Sequence, residues 1–441
     1  MLIHHVEPSL QDLAATERRA PAYAWLVFGL TVGLLLSDYM SRQVLNAVFP
    51  LLKHAWNLSD TQLGSLSGVV ALLVGLLTFP LSVLADRFGR VRSIVLMAAL
   101  WSVATLGCAL STNYAEMLVA RGLVGLGEAA YGSVGVALIL SIFPARLRAT
   151  LTGAFMAGGA FGSVFGMALG GLVGAHLGWR WSFGVMAALG IVLLVAYRCV
   201  VTERRLAACR VEPCRRDAGP RDLRGSVRAL MSGLFASRSV ICAYLGSGLH
   251  LFVPGALFAW LPSYLNRYYA MAPDRAAVLA AGFVLLAGVG MVGCGIVTDR
   301  VGRTDGSRKW LTAIAYCVLT GACLAVAFRL PPGPLQLALI CAGMLVGAGA
   351  SGASGAMVAN LTPAAIHASA FATLTLANNL LGMAPGPLLT GWVADRAGLV
   401  GALQWIPVVP LAAAVLFAIG RASYAADLVR VERERRATHL S

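Results

Sequence analysis

The sequence predicts an all-α membrane protein in which twelve transmembrane helices form two pseudo-symmetric six-helix bundles, with both termini in the cytoplasm. Three observations carry this prediction. Hydrophobic residues make up 59% of the 441 residues and charged residues only 12%, whereas soluble domains contain about 25% charged residues. Apolar stretches long enough to span a bilayer recur along the chain, and lysine and arginine gather in alternate loops.

Twelve apolar stretches are predicted to be transmembrane helices, and we number them as segments 1 to 12. They lack the period-two alternation of a membrane barrel, so α-helices are expected to satisfy the backbone in lipid. The first stretch is too long for a secretory signal and contains two charges, which predicts a retained helix. The segments are residues 24–49, 62–84, 93–111, 115–142, 149–176, 179–200, 239–266, 276–298, 309–329, 335–361, 368–393 and 399–420.

The basic residues predict the orientation. If both termini are cytoplasmic, the inner loops and tails hold 26 of the 34 lysines and arginines, as the positive-inside rule requires. The net charge of +15 therefore reflects topology, and no nucleic-acid partner is expected. Because arginine far outnumbers lysine, as in proteins of GC-rich bacteria, we predict a multi-pass protein of a bacterial inner membrane.

The longest inner loop divides the chain into two halves. Its apolar residues from Leu223 to Phe235 recur at helical spacing with arginines among them, which predicts an amphipathic helix on the anionic inner leaflet. A solvated linker is the alternative. The predicted divisions are a cytoplasmic tail at 1–22, a six-helix bundle at 23–201, the linker at 202–238, a second bundle at 239–420 and a cytoplasmic tail at 421–441.

Two internal repeats relate the halves. The stretches "SVLADRFGR" (82–90) and "GIVTDRVGR" (295–303) share Asp-Arg-x-Gly-Arg after segments 2 and 8. A set of three glycines in segment 5 recurs in segment 11 at an offset of 220 residues: Gly162, Gly166 and Gly171 match Gly382, Gly386 and Gly391. Such duplication is typical of transporters that bind their substrate between pseudo-symmetric halves.

With these repeats the chain resembles the major facilitator superfamily over nearly its whole length. The loop motif of that superfamily, Gly-x-x-x-Asp-Arg-x-Gly-Arg, is complete in the second copy and has Ser82 for glycine in the first. The resemblance implies a latch between the halves, in which a carboxylate meets a helix N-terminus; simple turn capping is the alternative. The expected latch residues are Asp86, Arg87, Gly89, Arg90, Asp299, Arg300, Gly302 and Arg303.

Segments 1 and 4 are similar to those of spinster-like transporters. The resemblance rests on "DYMSRQVL" (38–45) and "RGLVGLGEAAYG" (121–132). Members of that family usually have Asn-x-x-Asp-Arg in helix 1, whereas here Ser41 precedes Arg42 and the acid lies one turn earlier at Asp38. Segment 5 resembles the antiporter signature but has Met167 in place of its proline, so antiport and simple helix packing stay equally open.

Four charged residues, Asp38, Arg42, Arg121 and Glu128, lie inside predicted spans. A charge at mid-membrane costs about 2.5 kcal/mol or more, so such residues tend to face a cavity or one another. Helical rise places both acids about 21 Å from the inner end. The resemblance places segments 1, 4, 7 and 10 around a central cavity. We therefore predict proton coupling by Asp38 and Glu128, with Arg42 and Arg121 as counter-charges or substrate ligands; a permanent ion-pair cluster is the alternative.

The second half has no charge in its central spans. Its polar groups at mid-depth are His250, Asn378 and Asn379, which are substrate-contact candidates, although a lone helical histidine is as typical of hydrogen-bonded structure. A cavity with one charged wall and one apolar wall suits an amphiphile or an organic anion, and the spinster-like resemblance implies lysolipid-like or sphingoid substrates.

These features predict a proton-coupled secondary transporter that works by alternating access and exports an amphiphilic lipid-like or organic-anion substrate. The alternatives are a proton symporter for a small organic anion, a multidrug antiporter and, from another class, a non-transporting membrane receptor. The sequence has no phosphate-binding loop of an ATP-driven pump and no metal-ligand or catalytic pattern. We expect no enzyme activity, cofactor or metal, and no disulfide framework. The expected partners are a small-molecule substrate, protons and the bilayer, with the protein as a monomer.

Overall fold

The computed structural model describes residues 22–207, 233–235, 237–303, 305–362 and 366–440, and this part of the chain is helical with no β-strand. Within it, eleven stretches are long and apolar enough to cross a membrane, and they match segments 1 to 10 and segment 12. They are Ala22–Ala47, Asp60–Ala85, Arg90–Leu110, Tyr114–Ile142, Arg146–Leu177, Trp179–Val200, Arg238–Tyr268, Pro273–Val301, Arg308–Ala327, Pro334–Leu361 and Val408–Arg430. The twelve-helix count and the orientation of the termini remain predictions.

Segment 11 is not among these eleven stretches because it is built in pieces. A helix His367–Asn378 passes into a π-helical turn at Asn379–Met383, and a new helix begins at Pro385 and ends at Trp405. Pro385 and Pro387 have no backbone N–H, so the regular i→i−4 hydrogen bonds cannot continue through this point. The amide of Ala384 instead reaches the carbonyl of Asn379 at 2.9 Å.

The predicted boundary between segments 11 and 12 is wrong by several residues. The prediction began segment 12 at residue 399, but the apolar helix of this segment begins at Val408 and continues to Leu440. The chain turns at Gly398, whose φ of 74° lies in the left-handed region that glycine adopts without steric cost. The residues from 399 to 405 therefore belong to the connection.

Segments 1, 4, 7 and 10 are each divided into two helices. The breaks in segments 4 and 10 correspond, because they lie at 129–130 and at 348–349 and each is followed by a helix of 12 residues. To within one residue, the two breaks are separated by the same 220-residue offset that relates the two sets of glycines. The paired helices are Ala22–Ala47 with Phe49–Trp56, Tyr114–Glu128 with Tyr131–Ile142, Arg238–His250 with Phe252–Tyr268, and Pro334–Gly347 with Ala350–Leu361.

The remaining helices complete the two bundles. In the first half they are Asp60–Phe88, Arg90–Leu110, Ala145–Leu177 and Trp179–Val200, and in the second half Pro273–Val301 and Arg308–Ala327. A short helix, Glu203–Ala207, follows segment 6. The predicted amphipathic linker helix runs from Leu223 to Phe235, and its residues up to 232 lie outside the described residues.

The glycine repeat serves helix packing. A Cβ at Gly162 would lie 2.5 Å from the carbonyl oxygen of Leu36 in segment 1, and one at Gly382 would lie 2.5 Å from that of Gly248 in segment 7. The last glycine of each set faces the other half: a Cβ at Gly171 would overlap segment 8, and one at Gly391 would overlap segment 2. Small residues let helices approach this closely in a membrane.

The halves are joined by a large cluster of buried side chains at one end. Its contacts include Phe49 against Trp260 at 5.4 Å between ring centroids. Two further clusters each belong to a single half. Following the predicted orientation, we call the joined end, with Asp60 and Asp395, the outer end and the opposite end, with Asp86 and Asp299, the inner end. The molecule is closed at the outer end.

Candidate functional site

The centre of the first half contains an ion pair between segments 1 and 4. The Nη2 and Nε atoms of Arg42 donate to the same oxygen, Oε2 of Glu128, at 2.6 and 3.0 Å. The side chain of Glu128 is fully buried, whereas 20% of the Arg42 side chain is exposed. Glu128 is the last residue before the break in segment 4, so the pair fixes segment 1 at the point where segment 4 is divided.

Asp38 lies beside this ion pair and has no cation of its own. Only 3% of the residue is exposed, and it interacts with both Glu128 and Arg42. Among the described residues, no N–H or hydroxyl group donates to Oδ1 of Asp38 or to Oε1 of Glu128, and the two carboxyl groups lie within hydrogen-bonding reach of each other. One guanidinium group therefore serves two buried carboxyl groups.

Arg121 lies one layer behind the ion pair. Its guanidinium is completely buried and donates to three backbone carbonyls, those of Ser41 at 3.1 Å, Arg42 at 3.5 Å and Leu66 at 3.3 Å. These contacts hold the turn of segment 1 that carries Arg42. The structure thus brings Asp38, Arg42 and Glu128 together and places Arg121 against the backbone, near enough to interact with Glu128.

The polar candidates of the second half are bonded to their own neighbours. The ring of His250 is hydrogen-bonded to the carbonyl of Gly347 in segment 10 and lies 3.3 Å from Sγ of Cys317. Asn378 accepts a hydrogen bond from Ser247 at 2.8 Å, and Asn379 donates to the carbonyl of Thr375 at 2.9 Å. All these contacts stay within the second half.

The described side chains of the inner-end motifs also bond within their own half. Arg90 donates to the carbonyl of Ala137 at 3.0 Å, and Asp299, with 79% of its side chain exposed, has Lys309 at 3.9 Å. Arg87, Arg300 and Arg303 are exposed. Gly89 adopts a φ of 92° and ends its helix, while Gly302 follows the end of its helix with an ordinary negative φ. The side chain of Asp86 is outside the described part.

The outer end contains charged contacts that the sequence analysis missed. Asp60 accepts hydrogen bonds from Lys53 at 2.5 Å and from both terminal nitrogens of Arg267 in the second half at 2.7 and 2.8 Å. Asp395 contacts the backbone N–H groups of Asp60 and Thr61. A signal for this site was present, because Asp395 lies in a further Asp-Arg-x-Gly stretch.

Comparison with known proteins agrees with this architecture. A family model described as Major Facilitator Superfamily matches residues 31–387. Protein spinster homolog 1 of Homo sapiens is 25% identical over 463 aligned residues, covering 98% of this chain and 87% of that protein. A protein of Escherichia coli (strain K12) named "Probable L-galactonate transporter" is 26% identical over 297 residues, covering 66% of this chain and 65% of that protein.

A solved structure has the same fold. It is that of a bacterial homolog to human lysosomal transporter spinster in an inward-facing and unoccupied conformation, with a TM-score of 0.80 at 19% identity, covering 93% of this chain and 99% of that chain. The chain belongs to the Major Facilitator Superfamily and is a multi-pass membrane transporter of the spinster-like type.

Proposed function

We propose that the protein is a proton-coupled secondary transporter that works by alternating access. The observation that carries this proposal is the arginine shared by two acids: Arg42 bonds one oxygen of Glu128, while Asp38 and Glu128 each bury another oxygen that has no donor among the described residues. Two buried carboxyl groups thus share one directly bonded guanidinium. The second buried guanidinium, that of Arg121, is near enough to interact with Glu128 but bonds backbone carbonyls.

A proton removes the repulsion between the two neighbouring carboxylates. Burial of an uncompensated charge in the membrane interior is costly, and a second carboxylate close to the first disfavours ionisation of both. In the closed pair, one proton shared by Asp38 and Glu128 leaves a single carboxylate opposite Arg42. The proton can leave only when water or another cation lies near the two acids. In the proposed cycle, opening of the site to the other side of the membrane brings water or a cation there.

Arg42 is the group that a substrate reaches first. It is partly exposed while Glu128 is buried behind it, and its guanidinium also lies over the ring of Tyr39 at 5.4 Å. An anionic head group that binds Arg42 competes with Glu128, and the released carboxylate then takes up a proton. Binding of an anion and binding of a proton are thereby linked in one contact.

We propose an amphiphilic lipid-like substrate or an organic anion, with export as the first candidate direction. Binding of an anion and a proton together at Arg42 and Glu128 is the linkage of a symporter, so export in exchange for protons requires that the proton leave Glu128 before the substrate is released. His250, Asn378 and Asn379 bond within the second half, which supports an apolar wall on that side of the proposed cavity. Import by symport is the second candidate, favoured by the name of the Escherichia coli relative, because L-galactonate is a small organic anion. We further propose that the protein acts as a monomer in a bacterial inner membrane.

The test is transport by Glu128→Gln in proteoliposomes, with a lysophospholipid and L-galactonate as separate probes. Under an imposed proton gradient we expect wild-type protein to accumulate one of the probes and the variant to lose accumulation, while exchange without a gradient is partly retained. The matched control is Glu116→Gln, which alters an exposed acid in the first turn of the same segment. Gradient-driven accumulation by Glu128→Gln at the wild-type rate would show that the charges are a structural cluster.

A further inference from the structure

The motif at the inner end of segment 2 recurs at the outer end of segment 11. Residues 84–89 read "LADRFG" and residues 393–398 read "VADRAG", so both contain Ala-Asp-Arg-x-Gly. The final glycine of each copy, Gly89 or Gly398, has a left-handed φ, of 92° and 74° respectively. The two copies therefore share a sequence and a turn, but they lie at opposite ends of the molecule.

At the outer end, this motif makes a contact between the halves. Oδ1 of Asp395 accepts a hydrogen bond from the backbone N–H of Asp60 at 2.7 Å, and Oδ2 accepts from the N–H of Thr61 at 2.9 Å and its hydroxyl at 2.5 Å. Asp60 and Thr61 are the first two residues of the segment 2 helix. Free N–H groups and the helix dipole at that position stabilise a carboxylate. Asp395 is thus a helix cap supplied by the other half.

Segments 2 and 11 lie closely against each other below this cap. A Cβ at Gly64 would lie 2.3 Å from the carbonyl oxygen of Pro387, and one at Gly68 would lie 2.6 Å from that of Ala384. A Cβ at Gly75 would lie 2.7 Å from Cβ of Asn379, at the start of the π turn. The two segments are antiparallel, so each brings its C-terminal end to the N-terminal end of its partner.

From this geometry we propose that Asp395 is an outer latch, the counterpart of the inner latch at Asp86 that the family resemblance implies. Asp395 caps the N-terminus of segment 2 and holds the outer end closed in the inward-facing state. Tilting of one half against the other closes one latch and opens the other. The inference rests on the proposed alternating access and adds the residue that holds the outer end closed.

The test uses distances between spin labels in the full chain in lipid nanodiscs. One label pair, at Ala55 and Ala272, spans the halves at the outer end, and a second, at Ala149 and Val301, spans them at the inner end. The labels are placed on non-natural amino acids, so the native cysteines are kept. We expect Asp395→Asn to raise the ratio of outward-facing to inward-facing molecules roughly threefold to tenfold, and Asp86→Asn to lower it.

Three further variants make the test specific. The double variant Asp86→Asn/Asp395→Asn should return the ratio toward that of the wild type. Thr61→Val, which removes only the hydroxyl contact, should shift it in the same direction as Asp395→Asn but less. Asp274→Asn is the control, because it removes an acid from the first turn of segment 8, and it should leave the ratio unchanged.

Wild-type distances at both ends in Asp395→Asn and Thr61→Val would overturn the latch at the outer end. This result would not affect the proposed proton coupling, which is tested by transport through Glu128→Gln and not by these distances. The two proposals can therefore fail separately.

Discussion

Each half has a side-chain contact that ties one helix to the residue before a break in a neighbouring segment. We call these contacts the first and the second joint, and their chemistry differs. In the first half, Arg42 of segment 1 bonds Glu128, the residue before the break in segment 4. In the second half, His250 of segment 7 bonds the carbonyl of Gly347, the residue before the corresponding break in segment 10. Both contacts tie a cavity-lining helix to a divided neighbour. Only the first contains an acid, which is the group that the proposed mechanism protonates.

Under the proposed proton coupling, this difference would make the two halves respond differently to a proton. In the second joint the carbonyl does not titrate, and an imidazole N–H can donate to it whether the ring is neutral or protonated. In the proposed mechanism, the first joint exchanges a partner when Glu128 is protonated, so that proton binding changes the contacts of one half and leaves those of the other in place.

The largest expected effect comes from Arg121→Ala, which removes the support of the first joint. Three buried carbonyl contacts are lost, and hydrogen bonds to charged groups are worth about 1.5–3 kcal/mol each. We expect a loss of stability of about 3 kcal/mol or more, measured as a lower unfolding temperature in detergent, together with loss of both exchange and gradient-driven transport. An unchanged unfolding temperature would show that these contacts do not hold segment 1.

A smaller effect is expected from Asp38→Asn, which sharpens the comparison within the charged joint. Asparagine resembles protonated aspartic acid, so the variant keeps the packing and removes one of the two proton acceptors. We expect exchange at nearly the wild-type rate and gradient-driven transport that falls less than in Glu128→Gln, because Arg42 bonds Glu128 directly. Full loss of gradient-driven transport in Asp38→Asn, with Glu128→Gln still active, would reverse the order of the two acids.

The smallest effect on coupling is expected from His250→Gln. Glutamine can still donate to the carbonyl of Gly347, so we expect a loss of stability of about 1 kcal/mol and an unchanged pH profile of transport. The measurement is transport rate against pH, beside the unfolding temperature. A shifted pH profile would break the comparison, because it would make the second joint a titrating one.

Much of this arrangement was visible in the sequence. Apolar length predicted twelve segments, and eleven of them match long apolar helical stretches of the structure. Residue spacing placed Asp38 and Glu128 at one depth, and the structure brings the two acids together with Arg42. The family resemblance that suggested a substrate role for Arg121 did not reveal its three carbonyl contacts, since backbone acceptors leave no trace in residue identity. The roles of all four residues remain proposals.

The outer contacts were missed for a different reason. Asp60 and Asp395 are separated by 335 positions, and no local pattern indicates which helix N-terminus a distant carboxylate will cap. The repeated Asp-Arg-x-Gly could have flagged Asp395, but the partner required the packed structure. Segment 11 was located by its hydropathy, while its π turn depends on the particular spacing of Pro385 and Pro387.

The breaks in segments 4 and 10 have a consequence for the order in which these helices open. Each break leaves a carbonyl that is bonded by a side chain from a neighbouring segment, Thr78 at Ala129 and His250 at Gly347. Helix ends are where backbone hydrogen bonds open most readily, and here two such ends lie at mid-membrane. We therefore expect the amide hydrogens of segments 4 and 10 to exchange with solvent first at the breaks and later toward the segment ends. Within these two segments, the residues at mid-membrane should be the least protected from exchange.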